Sequence, residues 1–401
     1  MSKENKETLI IKNFGPIKDI KLDLKKINIL IGEQATGKST IAKVLAVCRY
    51  FSYIVDYNLV PQGSVGRRES AFYQGLFDWG IASYKKENTY IFYKSKDYTI
   101  EVSTKLESFN VGLDDNEKYI TKKIPVSYCE IIEKSKKFKK LLSELEDIKP
   151  KQTYLLDPNW HPSENFFRLN VKSVMNNPFY FPTERGLQSI FSLGKSPNYS
   201  DTLYGQLASL YNIADKYKTE TEIEHLEIHY KNENGKGLTR KNDELSFYNL
   251  SNGASGYQSS IPIVLGIKYY TGIEKRKRTF IVEEPEINLF PSTQKKLMAF
   301  FIKNVNENGH SFIIPTHSPY FLSAINDYLM AYKKGQLNKK ATKKIIKEEY
   351  WLNVDDISCY QLKNGKAKSI IDKKTGLISD NIIDEVSDDM NDEFENLLDI
   401  R

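Results

Sequence analysis

The sequence predicts an α/β protein, and three stretches predict it. Ile27, Ile29 and Ile31, with Leu30 between them, form an apolar run that reads as a buried strand entering Gly32-Glu33-Gln34-Ala35-Thr36-Gly37-Lys38-Ser39-Thr40. That loop fits G-x-x-x-x-G-K-[ST], and Ile41, Val44, Leu45 and Cys48 then recur at helical spacing. Thr279–Val282 reads as a second buried strand, ending in Glu283-Glu284-Pro285-Glu286. Ser311–Ile314 reads as a third, ending in Pro315-Thr316-His317-Ser318-Pro319. Apolar strands that each end in a polar loop belong to a sheet whose strand ends carry the chemistry.

Each loop has a physical reading. Backbone N–H groups of a glycine-rich turn, together with the positive end of the following helix dipole, make Gly32 to Thr40 a ready anion site. Lys38 can reach the β- and γ-phosphates of a nucleotide, and the Ser39 hydroxyl can ligate Mg²⁺. Adjacent carboxylates at the end of a buried strand are poorly explained as surface acids. Glu283 suits the Mg²⁺ shell, and Glu284 suits polarising an attacking water. His317, ending a core strand in line with the other loops, can reach a γ-phosphate. Leu250-Ser251-Asn252-Gly253-Ala254-Ser255-Gly256-Tyr257-Gln258 is rich in glycine and small polar residues ahead of an apolar helix, Ile261–Tyr270. Exposed N–H groups and a helix N-terminus make this a second anion site.

Composition narrows the class. A length of 401 residues suggests one large domain or two, and 40% hydrophobic with 27% charged residues is the balance of a soluble globular chain. No apolar run approaches the roughly 20 residues of a membrane span. Met1 to Glu7 is polar and charged, unlike a signal peptide. Cys48, Cys129 and Cys359 are scattered, as are the five histidines, which argues against a disulfide framework or a structural zinc site. The chain reads as cytosolic. Asp380 to Arg401 holds nine carboxylates and one arginine, a local −8 that leaves +14 on the rest of a chain totalling +6. A basic body suits polyanions, either nucleotide or nucleic acid.

In chain order, Thr8–Lys12 and Ile20–Leu24 read as strands around an Asn13-Phe14-Gly15-Pro16 turn, with Ile20, Leu22 and Leu24 alternating with charges. No nucleotide motif appears from about Phe51 to Met175. Within it Tyr90–Tyr93 and Tyr98–Val102 suit a hairpin across Lys94–Asp97, Leu106–Asp114 reads as loop, and Lys134–Leu145 reads as a lysine-heavy amphipathic helix. The Lys134–Lys140 run is more simply a solvated face than a nucleic-acid contact. Phe179 to Arg185 returns to strand-and-turn character, helical segments fill much of Gln188–Lys218, and Leu226–Tyr230 alternates as a strand. Pro291 and Ser292 open a helix with Leu297, Phe300 and Phe301 on one face. A basic helix over Lys339–Lys347, a hairpin at Asn364-Gly365 and the acidic tail complete the chain.

Taken together, IIKNFGPIKDIKLDL, FPTERG, LSNGASG, FIVEEPEINLFP and IIPTHSPYFL resemble the ABC-type ATPase heads of the overcoming-lysogenization-defect (OLD) and RecF/SMC-like families, over residues 1–50 and about 177–330. The resemblance implies an ABC-type P-loop head: a mixed central sheet flanked by helices, an antiparallel β-subdomain and an inserted α+β lobe. The expected divisions are 1–50 (head, first half), 51–176 (inserted lobe), 177–335 (head, second half) and 336–401 (helix, hairpin and acidic tail). It makes Gly32–Thr40 the Walker A loop and places Ser251 and Gly253 in the signature loop. Glu283 and Glu284 become Walker B with its catalytic base, and His317 the switch histidine. Asn13 and Gln188 become candidates for touching nucleotide or Mg²⁺. Such heads dimerise with ATP sandwiched between one copy's Walker A and the other's signature loop, which accounts for two anion sites in one chain. Gln34 replaces a frequent Asn, Phe290 a frequent His, and Glu283 the commoner Asp, one methylene longer, which favours slow hydrolysis.

OLD-type nucleases carry a TOPRIM domain after the head, but the residues after His317 show no E…D-x-D arrangement on strands. The expectation is therefore an ATP- and Mg²⁺-dependent ATPase, dimeric or a multiple of dimers, that gates a separately encoded effector in a bacterial anti-phage system. A RecF/SMC-like DNA-maintenance ATPase is the alternative, and an ATP-switched scaffold with negligible turnover is a third. A transporter subunit fits least well.

Overall fold

The structure, a computed structural model, describes residues 7–50, 65–113, 119–133, 136, 178–183, 203–379, 382–398 and 400. Lys134–Leu145 apart from Lys136, Glu184 to Gly186 of the FPTERG segment, and Gln188 lie outside these residues. In chain order come β1 (Glu7–Phe14), β2 (Ile17–Leu24), β3 (Ile27–Gly32), α1 (Lys38–Arg49) and α2 (Val65–Asp78). They are followed by β4 (Lys85–Lys94), β5 (Tyr98–Leu113), β6 (Tyr119–Glu133), β7 (Phe179–Phe181) and α3 (Leu203–Ala214). Next are β8 (Thr221–Ile223), β9 (Ile228–Glu233), β10 (Lys236–Lys241), β11 (Tyr248–Asn249) and α4 (Ser255–Lys268). Then β12 (Thr279–Val282), α5 (Pro291–Asn308), β13 (Ser311–Thr316), α6 (Pro319–Leu337) and α7 (Lys339–Lys343) lead to β14 (Ile357–Lys363), β15 (Lys366–Ser369) and α8 (Ile382–Leu398). Among the described residues no helix is long and apolar enough to cross a membrane.

The chain divides into two units. One comprises Met1–Leu24, Lys43–Asn177 and Asn364–Lys366. Its strands run β6-β5-β4-β1-β2, each antiparallel to its neighbour. Leu9, Ile11, Ile20 and Leu22 are buried while Lys12 and Lys21 face out, the alternation of a sheet with one wet face. The hairpin expected around Lys94–Asp97 is present, with Lys94 opposite Thr99. Leu106–Leu113 is not loop, however. It continues β5 and pairs with β6, from Leu106 opposite Pro125 to Asn110 opposite Thr121. Ser108, Asn110 and Gly112 blur the alternation there, so only the cross-strand ladder shows the strand.

The second unit comprises Lys25–Ala42, Pro178–Lys363 and Ala367–Arg401. Its main strands run β14-β3-β13-β12-β7, all parallel. β3 and β12 are buried along their whole length, which is why they read as continuous apolar runs rather than alternating ones. The core joins Ile29, Phe280 and Phe312 from the strands to Ile263, Leu297, Phe301 and Phe321 from the helices. α5 has Pro291 at its start and stops at Gly309, whose φ of +65° is the left-handed cap glycine tolerates. α6 opens on Ser318, whose Oγ accepts from Phe321 N–H at 3.2 Å, with Pro319 next.

β11-β10-β9-β8 form a separate antiparallel sheet in this unit. Three expected boundaries move. The strand expected at Leu226–Tyr230 starts at Ile228, because Glu227 takes a left-handed φ of +57°. The apolar helix begins at Ser255, so part of the Gly/Ser stretch is already helical, and beyond Lys268 it runs on as a π turn over Tyr269–Ile273. The basic helix stops at Lys343, and Glu348 beyond it pairs with Lys339 and Lys343, both at 2.5 Å. The Asn364-Gly365 hairpin is present, both residues at positive φ as a tight two-residue turn demands.

Candidate functional site

Because β3, β12 and β13 are parallel neighbours, the loops at their C-terminal ends emerge on one edge of the second unit. The Gly32–Gly37 loop is shaped by its backbone. Gly32, Ala35 and Gly37 take φ of +156°, +58° and +102°. A Cβ on Gly32 would lie 2.4 Å from the Leu362 carbonyl oxygen of β14, so no side chain fits there. Thr36 Oγ1 donates to Glu33 O at 2.8 Å and braces the turn.

Lys38 is buried, and its Nζ donates to the carbonyls of Gly32 and Glu33, both at 2.8 Å. Burial lowers its pKa from 10.5 to about 8, against the opposing pull of Glu284, Glu286 and Glu283. Ser39 is exposed at the first turn of α1, while Thr40 beside it is buried.

Glu283 is buried at the end of β12, with Thr183 Oγ1 donating to its Oε2 at 3.4 Å. Glu284 has a φ of +42°, a conformation that costs a non-glycine residue about 1–3 kcal/mol. Its N–H donates to Pro315 O at 2.8 Å, which ties the acid loop to β13. Its Oε1 lies 3.4 Å from His317 Nε2. Burial lowers the His317 pKa below its usual 6.5, and the Lys38 charge adds to this, although Glu284 works in the other direction. His317 is thus mainly neutral at pH 7 and can accept or donate at one nitrogen.

Glu286 was not singled out by sequence. Its Oε1 accepts from Thr316 Oγ1 and from the His317 backbone N–H, both at 2.7 Å. Burial raises its pKa, with those two hydrogen bonds opposing. The carboxyl therefore fixes the backbone that carries His317. Its place two residues beyond Glu284 was the available signal.

Ser251 and Gly253 sit on a turn whose polar groups bond locally. Ser251 Oγ donates to Asn249 Oδ1 at 2.9 Å, and Gln258 Nε2 donates to the Ser251 and Gly253 carbonyls at 3.2 and 3.0 Å. Ser251 is exposed. The start of α4 is tied to the acid loop instead. Ser259 Oγ donates to Ile287 O at 2.9 Å, and a Cβ on Gly256 would meet Asn288 O at 2.6 Å. Lys38, Glu283, Glu284 and His317 are thus gathered, whereas Ser251 and Gly253 belong to a separate outward-facing turn. Asn13 lies in the other unit, where its Nδ2 donates to Asn88 O at 3.2 Å.

A phosphate loop, a buried lysine and acids at parallel strand ends are the parts of a nucleotide triphosphatase. The AAA ATPase domain family matches residues 6–322. The chain belongs to that family. No curated protein matches it. Among solved structures, this AAA ATPase domain protein is similar to the SMC head domain from Thermotoga maritima at 11% identity, with 90% of this chain and 97% of that one covered and a TM-score of 0.39. It is also similar to the recombination mediator protein RecF at 13% identity, covering 91% of this chain and 99% of that one, with a TM-score of 0.34.

Proposed function

We propose that the protein binds ATP on the Gly32–Thr40 loop and hydrolyses it slowly, with Glu284 as general base. The observation that carries this is the gathering of Lys38, Glu283, Glu284 and His317 at the ends of three parallel strands. Backbone N–H groups of the loop cradle the β-phosphate, and the Lys38 ammonium bridges toward the γ-phosphate. Ser39 and Glu283 suit Mg²⁺, which tolerates one or two protein oxygens and keeps waters and phosphate oxygens as its other ligands. Bound there, the ion would neutralise charge on the phosphates. Glu284 accepts the proton of the water that attacks the γ-phosphorus as the bond to the bridging oxygen breaks. The neutral His317 imidazole donates to a γ-phosphate oxygen.

Ser251 and Gly253 serve the ATP held by a second copy, so hydrolysis takes place in a dimer. Closure of that sandwich gates a separately encoded effector in anti-phage defence, a reading supported by the family resemblance of the motifs. The net +14 outside the acidic tail favours a second reading, a DNA-maintenance ATPase of the RecF/SMC-like kind.

Phosphate release by wild type and by Glu284→Gln tests the core claim. Wild type should turn over ATP, and the variant should bind ATP, stall and accumulate as a dimer. Equal phosphate release from both would refute it. Between the two roles, ATP-dependent DNA affinity that falls steeply with salt selects DNA maintenance. A stable protein partner and no cleavage of DNA or RNA by the chain alone select the gating role.

A further inference from the structure

Two surfaces of the second unit expose apolar side chains among charges of opposite sign. The described part of α8 carries Met390, Phe394 and Leu397 at helical spacing, all exposed, with Phe394 62% exposed. This stripe is about 10 Å long. Glu393 and Glu395 flank it on either side, within a segment whose net charge is −8. The end of α6 and the residues around α7 present the counterpart. Leu337 is 79% and Ile345 84% exposed, among seven lysines between residues 333 and 347. Glu348 engages Lys339 and Lys343, while Lys340 and Lys344, between Leu337 and Ile345 in the chain, stand exposed.

We infer that α8 of one copy docks on the lysine-rich Leu337–Ile345 surface of a second copy. Both surfaces are exposed within a single chain, so neither covers the other there. Each copy therefore carries a donor and an acceptor. A two-fold arrangement satisfies both at once and buries the same contact twice, closing the assembly. Apolar side chains supply the area, and the ring of opposite charges sets register and rejects like-charged partners. The contact needs no nucleotide, so it is separable from an ATP sandwich.

The test is sedimentation of the full chain without nucleotide, in a Lys38→Ala background, between about 0.05 M and 0.5 M salt. A dimer that weakens with salt is expected. Lys340→Glu with Lys344→Glu should raise the dimer Kd by about tenfold or more, as should Glu393→Lys with Glu395→Lys. All four changes in one chain should restore association, because the charges again oppose. Phe394→Asp should weaken the dimer without rescue by the charge swap. A monomer at low salt, charge-reversed pairs that leave Kd unchanged, or a fourfold variant that stays dissociated would each overturn the proposal.

Discussion

Among the described residues two buried cations lie beside acids, Arg49 in the first unit and Lys38 in the second, and the two cases are handled differently. In the first unit Arg49 donates through Nε and Nη2 to Glu7 Oε1 at 2.8 and 2.6 Å, and Tyr93 donates to the same oxygen. Burial disfavours the Arg49 charge, but Glu7 and then Tyr93 outweigh it and hold the guanidinium protonated. Acid and base neutralise one another directly. In the second unit Lys38 is held by two neutral carbonyls while its three nearby acids have other contacts: Glu283 with Thr183, Glu284 with His317, Glu286 with Thr316 and the His317 N–H. A cluster whose charges meet each other is a structural tie. One whose lysine is charged but not consumed by a carboxylate is ready for an anion.

Four experiments break or sharpen that contrast. Glu284→Gln should lower turnover by roughly 10²–10⁴-fold while ATP still binds, measured by phosphate release and equilibrium binding. A parallel loss of binding would make Glu284 a structural acid like Glu7. Arg49→Met should cost about 1.5–3 kcal/mol of unfolding free energy by leaving the half-buried Glu7 without its cation. Denaturant titration reads this, and the ATP affinity of the folded protein should not change.

Glu286→Ala strands the Thr316 hydroxyl and the His317 N–H, a penalty of about 1–3 kcal/mol. Turnover should fall with little change in KM, and Glu286→Gln, which keeps an acceptor oxygen, should recover most of it. The smallest effect is in pH. With a pKa of about 8, the Lys38 ammonium is present below that value and lost above it, so ATP affinity should fall about tenfold per pH unit above 8. Lys38→Arg should flatten the profile, since guanidinium keeps its proton. The same shift has the opposite sign for stability. Between about 8 and 10.5 the unfolded lysine is protonated and the folded one is not, so this group's contribution to stability rises with pH there.

The legible part of the site is the part built on doubly covered strands. β3, β12 and β13 announce themselves because burial on both faces leaves uninterrupted apolar runs, and a charge at the end of such a run has no bland explanation. Less was visible where pairing decides. Residues 106–113 became strand only through their ladder to β6. The Arg49–Glu7 tie spans 42 positions, and neither residue belongs to a motif. Glu286 sat inside a recognised stretch, but its role depends on where Thr316 and His317 come to lie. Ser255 and Gly256 look like loop in composition, yet both are helical, and position 256 is glycine because only a bare Cα fits against Asn288 O.

The family match stops at residue 322, but the sheet beneath the phosphate loop does not. β14 lies directly beside β3, from Ile357 opposite Ile27 to Leu362 opposite Gly32. A fragment trimmed at the family boundary would strip β3 of that neighbour and leave a raw row of amide groups ready to stick to another polypeptide. Anyone excising a minimal head, or grafting one between relatives, has to carry the strand some forty positions downstream as well.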